Sequence, residues 1–218
     1  FQGGLAQPML WASSKLARIP AKIALCLGVN MYQAGLDATV YMSNSVNLEK
    51  EKAFWRPEWG AQAFLHGGAD LKEASITPPL ARADYAIPED AVTFGMLSNS
   101  PPLRVTDEYL ACVVKILKAC PKAIFVSMGP GEPKAQKEFM DKEGLAERCR
   151  WLSWQHKKAF ASLKLLDFYF NEIPFGSAQA IIECMACGIP ATAMLYGANH
   201  HQSVGADIVG PEFGIMKR

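Results

Sequence analysis

The chain has 218 residues, half of them hydrophobic and a fifth charged, with a mean hydropathy near zero; this is a globular composition and excludes a disordered chain. Its 22 basic and 21 acidic residues leave a net charge of +1, so no nucleic-acid or acidic-membrane partner is called for. No apolar run reaches the roughly 18 to 20 residues of a membrane span, and Cys26, Cys112, Cys120, Cys149, Cys184 and Cys187 sit in or beside apolar runs, as reduced packing thiols do.

Phe1-Gln2-Gly3 reads as the remnant of a cleavable tag and stands outside the fold argument. The start without Met suggests a chain cut from a longer protein. Residues 8–18 carry apolar positions at helical spacing. PAKIALCLG at 20–28 predicts a buried strand closed by Gly28, ATVYM at 38–42 a second short strand, and 45–80 an irregular stretch. From residue 85 the pattern becomes regular. AVTFGML at 91–97 is a strand, and Pro101-Pro102 mark a loop. Thr106 is an N-cap with Asp107 and Glu108 in the first turn. The helix after it puts Tyr109, Leu110, Val113, Val114 and Leu117 on one face. Strand 122–128, helix 133–146, strand 148–152, helix 156–165, strand 167–171, helix 177–187 and strand 190–195 continue the alternation. Strands alternating with helices predict an α/β, Rossmann-like parallel sheet flanked by helices. The expected organisation is a partial N-terminal lobe and linker at 4–84 and a ligand-binding domain at 85–218. In such sheets ligands bind beyond the carboxyl ends of the strands, which points to the loops near 98–104, 128–132, 153–156, 172–177 and 196–201.

The most informative segment is IPFGSAQAIIECMACGIP at 173–190. Gly176 permits close backbone approach, and the amides of a helix opening at Ser177 can hold phosphate oxygens. Gln179 and Glu183, four residues apart, share a helix face about 6 Å along the axis, near the distance from a pyrophosphate to its ribose. A carboxylate there can accept from both ribose hydroxyls. A plain helix with a solvated Glu183 fits the same spacing. In SNSPPLRVTDE at 98–108, Arg104 lies between a strand end and a helix start, where a guanidinium can clamp a diphosphate. Ser98 and Asn99 share that loop. Spacing alone favours an Arg104 paired with Asp107 or Glu108. Cys184 and Cys187 form a CxxC inside a helix with no second pair at zinc spacing, so they read as packing thiols. His200 and His201 follow the last strand, where they could cap a helix or touch a nucleobase or acceptor. His66 and His156 are isolated, and none of the four is a good metal-ligand candidate. Gly129-Pro130-Gly131-Glu132 lacks the Lys-Ser/Thr end of a P-loop and reads as a strand-to-helix turn.

DFYFNEIPFGSAQAIIECMACGIPA at 167–191 resembles a run of the bacterial cytoplasmic N-glycosyltransferases that glucosylate adhesins, relatives of glycosyltransferase family 41 and its O-GlcNAc transferases. PFG at 174–176 and the two isoleucines at 181–182 match. Gln179 stands for an Asn and Glu183 for an Asp. LARIPAKIALCLG at 16–28, FGMLSNSPPLRVTDEYL at 94–110 (Arg104 in place of a Lys) and GANHHQSVGADIVGPEF at 197–213 are similar to further family stretches. The resemblance implies a GT-B fold and a cytoplasmic, inverting, metal-independent transferase. It would move a hexose from a UDP-sugar, the donor substrate and not a cofactor, to a protein or small acceptor. It also implies diphosphate contacts at Arg104, Gly176, Ser177 and Gln179, a ribose contact at Glu183, and donor or acceptor contacts at His200 or His201. The sequence departs from the family at Gly28-Val29-Asn30, where Gly-His-Pro is common, and at Ser177-Ala178-Gln179. It carries no evident catalytic base. A non-catalytic nucleotide-sugar or protein-binding module therefore stays as the alternative, and a nucleotide-sugar epimerase as a third reading.

Overall fold

The computed structural model describes residues 23–27, 38–42, 61–65, 68–153, 159–173, 176–195, 209 and 215–217. The chain divides into two compact units, Phe1–Gly67 and Gly68–Arg218. The first contains a parallel sheet of β1 (Ile23–Leu27), β2 (Ala38–Met42) and β3 (Ala61–Leu65), in that order. β1 and β2 fall where the apolar runs predict them. β3 lies inside the stretch expected to be irregular. Its sequence, AQAFL, has no β-branched residue, so pairing with β2 and not local preference makes it a strand.

The second unit is built on β4 (Val92–Leu97), β5 (Ala123–Met128), β6 (Cys149–Leu152), β7 (Phe168–Phe170), β8 (Ala191–Leu195) and β9 (Ile215–Lys217). They form one sheet in the order β6-β5-β4-β7-β8-β9, with every pairing parallel. All six residues of β5 and five of the six in β4 are buried, because helices cover a parallel sheet on both faces. The helices are α1 (Leu71–Ile76), α2 (Pro101–Arg104), α3 (Asp107–Ala119), α4 (Lys134–Lys142), α5 (Ala159–Leu163) and α6 (Ala178–Ala186). This is the Rossmann-like α/β sheet expected from the alternation of strands and helices. Among the described residues, no helix is long and apolar enough to cross a membrane.

α3 shows how the sequence makes its elements. Thr106 caps it, accepting from the Tyr109 amide at 3.3 Å, and Tyr109, Leu110, Val113, Val114 and Leu117 are its buried stripe, as the periodicity predicts. Tyr109 stacks on Phe170 with ring centroids 5.0 Å apart, and its hydroxyl donates to the Phe170 carbonyl at 2.6 Å. That bond fastens the helix to the end of β7. At the other end, the Arg148 guanidinium donates to the carbonyls of Leu117 and Cys120, acceptors that a helix terminus leaves open, and to that of Ala123 at the start of β5.

Two local expectations change. The Pro101-Pro102 loop is a helical turn, α2, since proline at the first helical positions forfeits no internal hydrogen bond. The stretch around residue 70 contains α1, capped by Asp70, whose Oδ1 accepts from the Glu73 amide at 2.9 Å. Residues 80–85 are tied to the second unit: the Leu80 amide donates to the Ala161 carbonyl at 3.1 Å, and Arg82 pairs with Asp167 at 3.0 Å. The predicted helix at 8–18 and residues 154–158 of the predicted helix 156–165 lie outside the described residues.

Candidate functional site

The carboxyl ends of β4, β5 and β7 open onto the start of α6, and the residues that follow each strand build the site. Leaving β4, Ser98 is buried and Asn99 exposed. The Ser98 amide donates to the Met128 carbonyl at 2.9 Å, and its hydroxyl accepts from the Ser100 amide at 3.2 Å. Leaving β5, Gly129 adopts φ +150°, and a Cβ there would stand 2.0 Å from the Ser98 carbonyl oxygen. Only glycine lets the two strand ends lie this close. Beyond β5 and β6 is a small cavity of about 80 Å³ whose walls include Gly129, Gly131, Lys137, Trp151 and Ser153.

The short α2 carries Arg104, and its geometry is fixed from behind. Gln136 of α4, itself buried, donates from Nε2 to the carbonyls of Pro102 and Val105, each at 3.1 Å. Thr106 donates to the Ile173 carbonyl at 3.0 Å, joining the start of α3 to the segment after β7. Arg104 thereby reaches across to that segment. Its Nη1 donates to the Gly176 carbonyl at 3.2 Å and lies 3.8 Å from Glu172 Oε1. Its side chain is about a third exposed.

Residues 171 to 177 connect β7 to α6. Asn171 Oδ1 accepts from the Ser177 amide at 2.9 Å and so sets the angle at which α6 begins. Glu172 has a fully buried side chain, and its Oε1 has no hydrogen-bond partner among the described residues. The hydroxyl of Tyr169 stands 3.5 Å from Oε2. Burial pushes the Glu172 carboxyl up to about 7; its own amide, Arg104, the Ser177 amide and Ser98 pull the other way without overcoming it. Gly176 is buried and Ser177 partly so. On α6, the exposed Gln179 donates from Nε2 to the Gly68 carbonyl at 2.8 Å and to Glu183 Oε1 at 3.0 Å, and the two side chains share one face.

Of the residues singled out in the sequence, Arg104, Gly176 and Ser177 come together around Glu172. Ser98 and Asn99 follow β4 next to Gly129. Gln179 and Glu183 extend the surface along α6. His200 and His201, as well as His66 and His156, lie outside the described residues. Cys184 is buried, and burial raises both its thiol and that of Cys187. Among the described residues, no group of three His, Cys, Asp or Glu is placed to hold a metal ion. Sequence reasoning passed over Asn171 and Glu172. The available signal was two polar residues directly after the buried FYF strand, where a parallel sheet presents side chains to a ligand.

No family model matches the sequence, and no curated protein matches it. Solved structures match in fold. The chain is similar to WaaG, a glycosyltransferase involved in lipopolysaccharide biosynthesis, with a TM-score of 0.62, 13% identity, 99% of this chain covered and 70% of that one. It is similar to the O-GlcNAc transferase of Thermobaculum terrenum, with a TM-score of 0.51 and 16% identity over 80% of this chain and 33% of that one. S. aureus TarM, solved in complex with Fondaparinux, alpha-GlcNAc-glycerol and UDP, gives a TM-score of 0.55 and 12% identity over 80% and 32% of the two chains. The chain thus spans about a third of the O-GlcNAc transferase and of TarM. The fold is the Rossmann-like fold of GT-B glycosyltransferases.

Proposed function

We propose that this chain is the donor-binding part of a glycosyltransferase that moves a hexose from a uridine-diphosphate sugar to a protein or small acceptor, with inversion and without a metal ion. The observation that carries the reading is the approach of Arg104 to the start of α6. Its guanidinium meets the Gly176 carbonyl at 3.2 Å, beyond strand ends where α/β sheets bind their ligands. A diphosphate placed there meets a guanidinium on one side and the first-turn amides of a nine-residue helix on the other. The acceptor's nucleophile attacks the anomeric carbon, the bond to the diphosphate oxygen breaks, and the acceptor's proton is released. Arg104 and the helix terminus offset the charge that develops on the leaving UDP. Glu183, one turn beyond Gln179, accepts hydrogen bonds from the ribose. The match in fold to a protein solved with UDP supports the choice of nucleotide.

Arg104→Ala is expected to weaken UDP by about 1.5 to 3 kcal/mol, the loss of a charged hydrogen bond, or roughly ten- to hundredfold by calorimetry. An unchanged affinity removes Arg104 from the site. Val29, standing where the resembled family commonly has histidine, favours the second reading, a binding module without transfer. Release of UDP from a UDP-hexose by the protein supports a transferase, whereas tight binding with no turnover in the presence of acceptors supports the module.

A further inference from the structure

A fully buried carboxylate beside the mouth of an anion site is an expensive group to keep, because burial without full pairing costs more than the attraction returns. Glu172 is such a group. Its side chain has no exposed surface, Oε1 accepts no hydrogen bond from the described residues, and Arg104 Nη1, 3.8 Å away, is beyond hydrogen-bonding distance and bonded to the Gly176 carbonyl. We infer that Glu172 is the resident counter-ion of Arg104, giving up that arginine to an anionic ligand and taking a proton from solvent as the ligand binds.

The coupling is electrostatic and rests on the donor-site reading above. With the site empty, Arg104 and the start of α6 both favour a charged Glu172. A diphosphate brings two negative charges to the same guanidinium, so Glu172 loses its share of the favourable field and gains like-charge neighbours. Both changes raise its proton affinity. It starts close to neutrality, since burial already holds it near 7. Among the described residues, the other ionisable groups facing it do not compete for the proton. Tyr169 of β7 and Tyr109 of α3 are held well above their usual range by burial and by Glu172 itself, so both stay neutral phenols. Among the described residues, the end of β4 and the start of α6 bring the Ser98 hydroxyl and the Ser177 amide, neither of which titrates. The acid thus formed is neutral and leaves the diphosphate unopposed.

The test is calorimetric titration of UDP-glucose, whose diphosphate does not ionise near neutrality, at pH 5.5, 7 and 8 in buffers of different ionisation enthalpy. Sulfate is the second probe. The expected result is uptake of up to about half a proton per ligand at pH 7, rising toward one at pH 8, and little at pH 5.5, where Glu172 is already protonated. Affinity should fall up to about fivefold from pH 7 to 8. In Glu172→Gln both the uptake and the fall should vanish. Binding of UDP-glucose with no proton uptake at any of the three pH values overturns the counter-ion role and leaves the donor reading standing. Sulfate binding with proton uptake but no binding of UDP-glucose keeps the counter-ion role and removes the donor reading. Failure of both ligands to bind overturns both. Because uptake is measured on the unaltered protein, a Glu172→Gln variant that does not fold leaves the test decisive.

Discussion

Replacing Glu172 with glutamine removes a charge the fold holds at a cost, and the size of that cost follows from the carboxyl's environment. Burial raises the group from 4.5 to about 7, and each pKa unit corresponds to about 1.4 kcal/mol between folded and unfolded states. The charged form therefore costs the fold about 3 kcal/mol. The sign is fixed by which state holds the proton. Between pH 4.5 and 7 the folded protein binds more protons at this residue than the unfolded chain, so this group's contribution to stability declines as pH rises through that window and is constant above it. Glutamine keeps the shape and cannot ionise. Glu172→Gln should change stability little at pH 4.5 and increase it by about 3 kcal/mol at pH 8. Urea denaturation at the two pH values, read as the midpoint shift at constant m-value, measures this directly. Groups titrating elsewhere cancel in the comparison of variant with wild type. A variant equally displaced at both pH values, or destabilised at pH 8, would show that Glu172 is well paired in the fold and would refute the argument from burial.

Gly129→Ala should lower stability by several kcal/mol, because the new Cβ would sit 2.0 Å from the Ser98 carbonyl at a φ that other residues rarely adopt; a thermal melt within about 2 °C of wild type would contradict the close approach of β4 and β5. Glu183→Gln should weaken UDP while leaving the melt unchanged, since a charged acceptor binds ribose hydroxyls more strongly than a neutral one. An unaltered calorimetric affinity would make Glu183 a solvated surface residue whose partner is Gln179.

The central strands were legible because each is a short apolar run bounded by turn residues. AVTFGML and KAIFVSM contain β4 and β5 within one residue at their starts. The same holds for α3, where a capping threonine, two acids and a 3.6-residue stripe agree. β3 and α1 were not legible for the opposite reason: AQAFL takes its strand character from pairing with β2, and α1 has six residues with only Ala74 buried. In the site, local spacing favoured pairing Arg104 with Asp107 or Glu108, one turn along. The structure instead carries its guanidinium to Gly176 and Glu172, contacts that depend on how α2 packs against the segment after β7. Glu172 escaped notice because a carboxylate next to a strand end is ordinarily solvated; its burial is a property of the packed sheet and helices.

In the proposed site a donor diphosphate lies between Arg104 and the start of α6, with the ribose over Glu183. A crystal structure of the protein grown with saturating UDP tests this most directly. The predicted result is phosphate oxygens within hydrogen-bonding distance of the Arg104 guanidinium and the first-turn amides after Ser177, with ribose hydroxyls on Glu183. UDP bound elsewhere on the chain, or a site that stays empty at saturating UDP, would contradict it.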